Sequence, residues 1–335
     1  MINEWENLDM INSAAILGGG SWGTAIASKV SQKLKNTNIY LRQDDIVNEI
    51  NLKHSNNKYL NEISLPNNLQ AQNLDKFTGE EDIIFLVLPA STIEEYLQKN
   101  KKFLRPESII IIASKGFSYT TKTLFHDYMS NILPKNKIGI LSGPNLAHEV
   151  AFGYPSASAL AFRDIDDAKI LADIISTKDF IVYPTDDIVT LQVCGFMKNI
   201  IAIISGIIEG LRYGENTKAW FIVKAIQEIK TVVKFFSPNA NSDFLHVGTL
   251  GDLILTSYSA NSRNNKFGNS LAKAKDKVKY LSAVEFLTEG TRAAKYLNDI
   301  ANDNNLDLPI VRYLADILVN PKNMKASLAK ILFER

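Results

Sequence analysis

Between an apolar run and a helix-compatible stretch, the segment AAILGGGSWGTAIASKVSQKL packs Gly18, Gly19, Gly20 and Gly23 into a single turn. Glycine loses more conformational freedom on folding than any other residue, so such a cluster implies a backbone that no side chain would permit. The spacing fits G-x-G-x-x-G. Gly18 allows a tight turn, Gly20 lets a pyrophosphate approach the backbone, and Gly23 lets the helix lie close to the strand. Amides at the start of that helix, aided by its dipole, suit an anion. The pattern predicts a dinucleotide-binding strand, turn and helix.

Four further β-rich runs follow in the first half: NIYLR, DIIFLVLP, SIIIIASKG and KIGILSGP. Continuous apolar runs without strict alternation suit strands covered on both faces, as in a doubly wound parallel sheet. Gly18, Arg42, Pro89, Lys115 and Gly143 each come after such a run, which predicts that one edge of the sheet collects them. In open α/β sheets that edge is where ligands bind. Arg42 stands at the end of the second run, where an acidic residue often holds a ribose diol. It either meets a 2′-phosphate, favouring NADP(H) over NAD(H), or is a solvated surface cation; Asp44 and Asp45 then open the next helix.

From Asp187 onward the text turns to long helical patterns, so the chain reads as residues 1–190, a Rossmann-like nucleotide-binding domain, and residues 191–335, an all-α substrate domain. At 335 residues two cores are expected. The formal charge of +1 provides no field to gather nucleic acid or an anionic membrane. Cys194 is the single cysteine, which excludes an internal disulfide and suits a reducing, cytoplasmic setting, and the acidic amino-terminal stretch lacks the pattern of a signal peptide. The apolar stretch Ile200–Leu211 is too short to span a bilayer and reads as a buried helix. The four histidines lack metal-ligand spacing, so no metal is expected.

Two features of the second half carry chemistry. Lys198 shares a helix face with Cys194 and Ala202, where a lysine either snorkels to solvent or has a partner and a task. If partly buried, it would exchange a proton with a carbonyl and alcohol pair. In Asn261-Ser262-Arg263-Asn264 a guanidinium is flanked by hydroxyl and amide donors, a set that either surrounds a phosphate or forms an Asn-rich surface turn.

The ordered segments GGGSWGTAIA, LVLPAS, ASKGF, LSGPNLAHEVAFGYP, VCGFMKNIIAIISGIIEGLRYGENTKA, GTLGDLILTSYSANSRNNKFG and FLTEGTRAAKYL resemble the bacterial-type NAD(P)-dependent glycerol-3-phosphate dehydrogenases, from about Ala14 to beyond Pro309. The resemblance implies reduction of dihydroxyacetone phosphate to sn-glycerol 3-phosphate for glycerophospholipid synthesis, with NADP or NAD as cofactor, a small phosphorylated substrate and a homodimer. It makes Lys198 the proton-exchanging residue and brings Lys115 to both substrate and cofactor. It places Gly143, Asn145, Asp252, Ser262, Arg263 and Asn264 around the substrate, where Asp252 either orients Lys198 or binds a substrate hydroxyl. Ser21, Trp22, Arg42, Ala147, Arg263, Leu287 and Glu289 go to the cofactor, with the glycine turn. Asn145 stands where Ser is usual, Phe196-Met197 replace a smaller pair, and Lys224 stands where Arg is common.

Overall fold

The computed structural model describes residues 11–240, 243–283 and 288–333. The chain divides into two compact units, one ending at Ile188 and the other beginning at Val189. The first unit runs β1 (Ser13–Leu17), α1 (Ser21–Val30), β2 (Asn36–Leu41), α2 (Asp44–Lys53), β3 (Leu69–Asn73), β4 (Ile83–Leu86), α3 (Ala90–Asn100), β5 (Ile109–Ile112), α4 (Phe125–Ile132), β6 (Ile138–Ser142), α5 (Ala147–Phe152), β7 (Ser156–Ala161), α6 (Ile165–Ile175) and β8 (Phe180–Thr185). Its eight strands form one sheet in the order β3-β2-β1-β4-β5-β6-β7-β8. All neighbours are parallel except β6 and β7.

The expected doubly wound sheet is therefore present, and β1, β2, β4, β5 and β6 coincide with the five runs read from the sequence. Pro89 and Lys115 lie three residues beyond the ends of β4 and β5 rather than directly on them. Strands β3, β7 and β8 were not anticipated, and the reason is physical. The central strands β4 and β5 are buried at every residue, so they read as unbroken apolar text. The edge strand β8 alternates buried Phe180 and Val182 with exposed Ile181 and Tyr183, while β3 and β7 are rich in Gln, Ser and Ala. A search tuned to two-sided burial passes over them.

The second unit has no strand among its described residues and is built of helices: α7 (Ile188–Gly210), α8 (Glu215–Phe236), α9 (Asp252–Tyr258), α10 (Arg263–Lys273), α11 (Lys277–Ala283), α12 (Glu289–Asn304), α13 (Pro309–Val319) and α14 (Met324–Phe333). At 23 residues α7 is longer than the apolar run suggested, and is long and apolar enough by composition to cross a membrane. Its apolar window is instead wholly buried, as in the core helix of a folded unit. Cys194 lies on it, buried and outside any disulfide.

Small residues let the neighbours of α7 approach its backbone. A Cβ on Gly268 of α10 would strike the Ile203 carbonyl oxygen, and one on Gly206 would strike that of Asn265. On α12, a Cβ at Gly290 would come within 2.5 Å of the Asn199 carbonyl oxygen. Helix α13 opens on Pro309, and the next two amides, of Ile310 and Val311, donate to the buried Glu228 carboxylate of α8 at 2.7 and 2.9 Å. This side chain does from another helix what an N-cap does locally.

Burial pushes the Glu228 carboxyl up to about 7, and the two amides hold it from rising further. An acid raised from its usual 4.5 adds most to stability while protonated, so its contribution is full below that pH and disappears as pH climbs through about 7. Relative to Glu228→Gln, the native protein should lose melting temperature across this window. Parallel pH profiles for the two proteins would remove Glu228 from that role.

Candidate active site

In the first unit the glycine turn has the shape expected of it. Gly18 adopts φ +125°, and a Cβ there would lie 2.5 Å from the Val87 carbonyl oxygen. A Cβ on Gly23 would strike the Gly18 carbonyl oxygen, so α1 rests against the turn itself. Gly20 is different: it is exposed, and a Cβ on it would meet nothing within 4 Å. It is also the N-cap of α1, which has neither a side-chain cap nor an acidic residue in its first turn. An open approach to uncapped helix amides fits a pyrophosphate. Within the turn the Ser21 hydroxyl donates to the Tyr59 carbonyl at 2.9 Å, and Trp22 packs partly against the core.

Arg42 is exposed just past β2, and Asp44 and Asp45 occupy the first turn of α2, where they suit its dipole. Asp44 also accepts from the Asn73 side chain at 2.8 Å. At this strand end an exposed guanidinium is followed by two exposed carboxylates.

Farther along the same edge, the Lys115 ammonium makes a long contact of 3.4 Å to the Ser142 hydroxyl, bringing the segments after β5 and β6 together. Gly143 follows β6, where a Cβ would press within 2.8 Å of Ala157 and Ser158 backbone atoms. Asn145 is held by β7: its amide nitrogen donates to the Ala157 carbonyl at 2.9 Å, and its oxygen accepts from Ser158 at 2.5 Å. The bond to Ala157 uses one of the two amide hydrogens. Ala147 begins α5 and is packed against the core cluster.

In the second unit, the alternatives for Lys198 resolve toward a partner. The residue is 8% exposed and its ammonium is ion-paired with Asp252, itself 1% exposed. Asp252 is the first residue of α9, directly after a π-helical turn over Val247–Gly251, a rare geometry that often marks functional sites. Thr256, one turn on, donates to the same carboxylate oxygen at 3.3 Å. Charge balance keeps the ammonium tolerable inside an apolar helix bundle.

Arg263 is exposed at the first position of α10. The Ser262 hydroxyl caps that helix by accepting from the Asn265 amide at 3.3 Å, so its role is partly architectural. Asn264 is buried; its amide donates to Asn199 at 2.9 Å and its oxygen accepts from the Gly290 amide at 3.3 Å. Asn199 also reaches the Glu289 carboxylate at 3.3 Å. Leu287 lies outside the described residues. The sequence reading assigned no role to Asn199, Thr256 or Tyr59. Thr256 stands at i+4 from Asp252, so helical spacing was the available signal for it, whereas Asn199, next to Lys198, faces another side of α7.

A family profile described as the NAD-dependent glycerol-3-phosphate dehydrogenase N-terminus matches residues 13–168, and one described as its C-terminus matches residues 187–329. The chain is 39% identical over 307 residues to a Rickettsia bellii protein named glycerol-3-phosphate dehydrogenase (NAD(P)+), covering 91% of this chain and 98% of that one. The similarly named Rickettsia prowazekii protein is 39% identical over 93% of this chain and its own full length. Glycerol-3-phosphate dehydrogenase from Coxiella burnetii superposes with a TM-score of 0.87 at 29% identity, over 96% of this chain and 99% of that one.

Removing the carboxylate by Asp252→Ala strands a buried ammonium, a loss expected to lower stability by about 3 kcal/mol. Chemical denaturation checks this, and an unchanged midpoint would show that Lys198 finds charge balance elsewhere.

Proposed function

The chain belongs to the NAD-dependent glycerol-3-phosphate dehydrogenase family, and on that premise we propose that it reduces dihydroxyacetone phosphate to sn-glycerol 3-phosphate, reversibly, with NADP(H) or NAD(H). The observation that supports this most directly is a buried ammonium, Lys198, held by the Asp252 carboxylate. The nicotinamide, when bound, supplies the hydride that adds to the substrate carbonyl carbon. Negative charge then grows on the carbonyl oxygen, and Lys198 neutralises it and gives up its proton. Asp252, with Thr256, orients the ammonium. In the reverse direction the neutral amine takes the alcohol proton.

Lys115 would add positive charge toward the substrate, Gly143 and Asn145 would shape the segment beside it, and Ala147 would help to hold the cofactor. Arg263, Ser262 and Asn264, at the start of α10, grip the phosphate, binding energy that aligns a carbon away from it. Asn199 holds Asn264 in place for that task. Gly18, Gly20, Ser21, Trp22 and Gly23 of the first unit would hold the cofactor's pyrophosphate. Exposed Arg42 favours NADPH over NADH. The product is a glycerophospholipid backbone, and a reduced, buried Cys194 suits the cytoplasm. Exposed Trp220, Val223 and Phe333 on α8 and α14 support a homodimer formed through the second unit.

Lys198→Ala should lower turnover by at least about a thousandfold while dinucleotide affinity stays within about threefold. Arg263→Ala should raise KM for the phosphorylated substrate about tenfold or more, with a smaller change in turnover. Initial rates with dihydroxyacetone phosphate and each reduced dinucleotide test both; substantial Lys198→Ala activity or an unchanged Arg263→Ala KM would overturn the respective role.

A further inference from the structure

The loop between α2 and β3 supports the glycine turn from behind, and its contact residue has no part in the reading above. Asn56 is fully buried. Its amide nitrogen donates to the Gly19 carbonyl at 3.2 Å and to the Thr24 hydroxyl at 2.8 Å. The Thr24 hydroxyl in turn points at the same Gly19 carbonyl, at 3.4 Å. Two amide hydrogens and one hydroxyl hydrogen thus serve three bonds, and each is used once.

We propose that Asn56 is a positioning residue that sets the orientation of the Gly19–Gly20 peptide, and through it the amide offered to the cofactor's pyrophosphate. A trans peptide points its carbonyl and the following amide in opposite directions. Drawing the Gly19 carbonyl inward onto Asn56 and Thr24 therefore turns the Gly20 amide outward, toward the side where Gly20 is exposed and open. Glycine alone does not fix that plane, since its backbone populates many orientations. The neighbouring residues hold Asn56 itself: its carbonyl accepts from the Tyr59 and Leu60 amides at 3.1 and 2.8 Å. The Tyr59 carbonyl accepts the Ser21 hydroxyl, a second bond from this loop to the turn. Glu49 binds the Asn57 amide and the Ser55 hydroxyl at 2.9 and 2.8 Å, anchoring the loop to α2.

The inference rests on dinucleotide binding by the first unit, so the native protein is titrated first with NADPH, NADH, ADP-ribose and adenosine. Failure of the native protein to bind either dinucleotide-type probe would defeat the functional reading rather than this one. The isosteric Asn56→Asp, which keeps shape but loses the donor, should weaken ADP-ribose about tenfold while adenosine changes less than about threefold. Thr24→Val should weaken ADP-ribose in the same direction, and Thr24→Ser should restore it. A merely structural role would lower melting temperature without selectively removing the phosphate contribution. An unchanged ratio of ADP-ribose to adenosine affinity in folded Asn56→Asp overturns the proposal. If that variant does not fold, an unchanged ratio in Thr24→Val does so.

Discussion

A primary amine sealed inside an apolar bundle survives only if an opposite charge accompanies it, and the second unit is organised around meeting that need. Lys198 could not sit at 8% exposure on α7 without Asp252 at the head of α9. The π-helical turn before Asp252 leads α9 into that position, and Thr256 steadies the carboxylate. One ion pair thus answers the charge requirement, and the carboxylate that makes the cation bearable also fixes where it sits.

Close helix packing around α7 reinforces this arrangement. Glycines at 206, 268 and 290 bring the backbones of α7, α10 and α12 together at distances that no side chain would allow. Short polar side chains then bridge the same helices, Asn264 to Asn199 and to the Gly290 amide, and Asn265 to the Ser257 carbonyl of α9 at 2.9 Å. Buried polar groups that are each answered by a partner tend to specify one arrangement rather than several. The start of α10, where Arg263 projects, inherits that rigidity.

How much could be read from the amino acids alone differs between the parts. The central strands were legible because burial on both faces leaves an unbroken apolar signature, and the glycine turn because its geometry requires glycine at fixed intervals. The edge strands β3 and β8, and β7 beside β8, were not, since half-buried or small-residue strands look like loops. Lys198 was visible as an anomaly on an apolar helix face, and the family resemblance left Asp252 either to orient it or to bind substrate; the two stand fifty-four positions apart, and the fold pairs them. Asn56 left no trace at all: in a chain that uses Asn freely, a buried anchor and a surface turn have the same letter. Ser262 was read as a ligand contact, and the capping bond to Asn265 that it makes could be inferred only once α10 was known to begin there.

The lone thiol at Cys194 has a practical corollary. Because it is interior to α7 and 3% exposed, maleimides and other thiol-directed reagents meet no native competitor on the surface among the described residues. A single cysteine introduced at an exposed position would accept a fluorophore or spin label without first stripping the protein of its own sulfhydryl, leaving the core helix as evolution packed it.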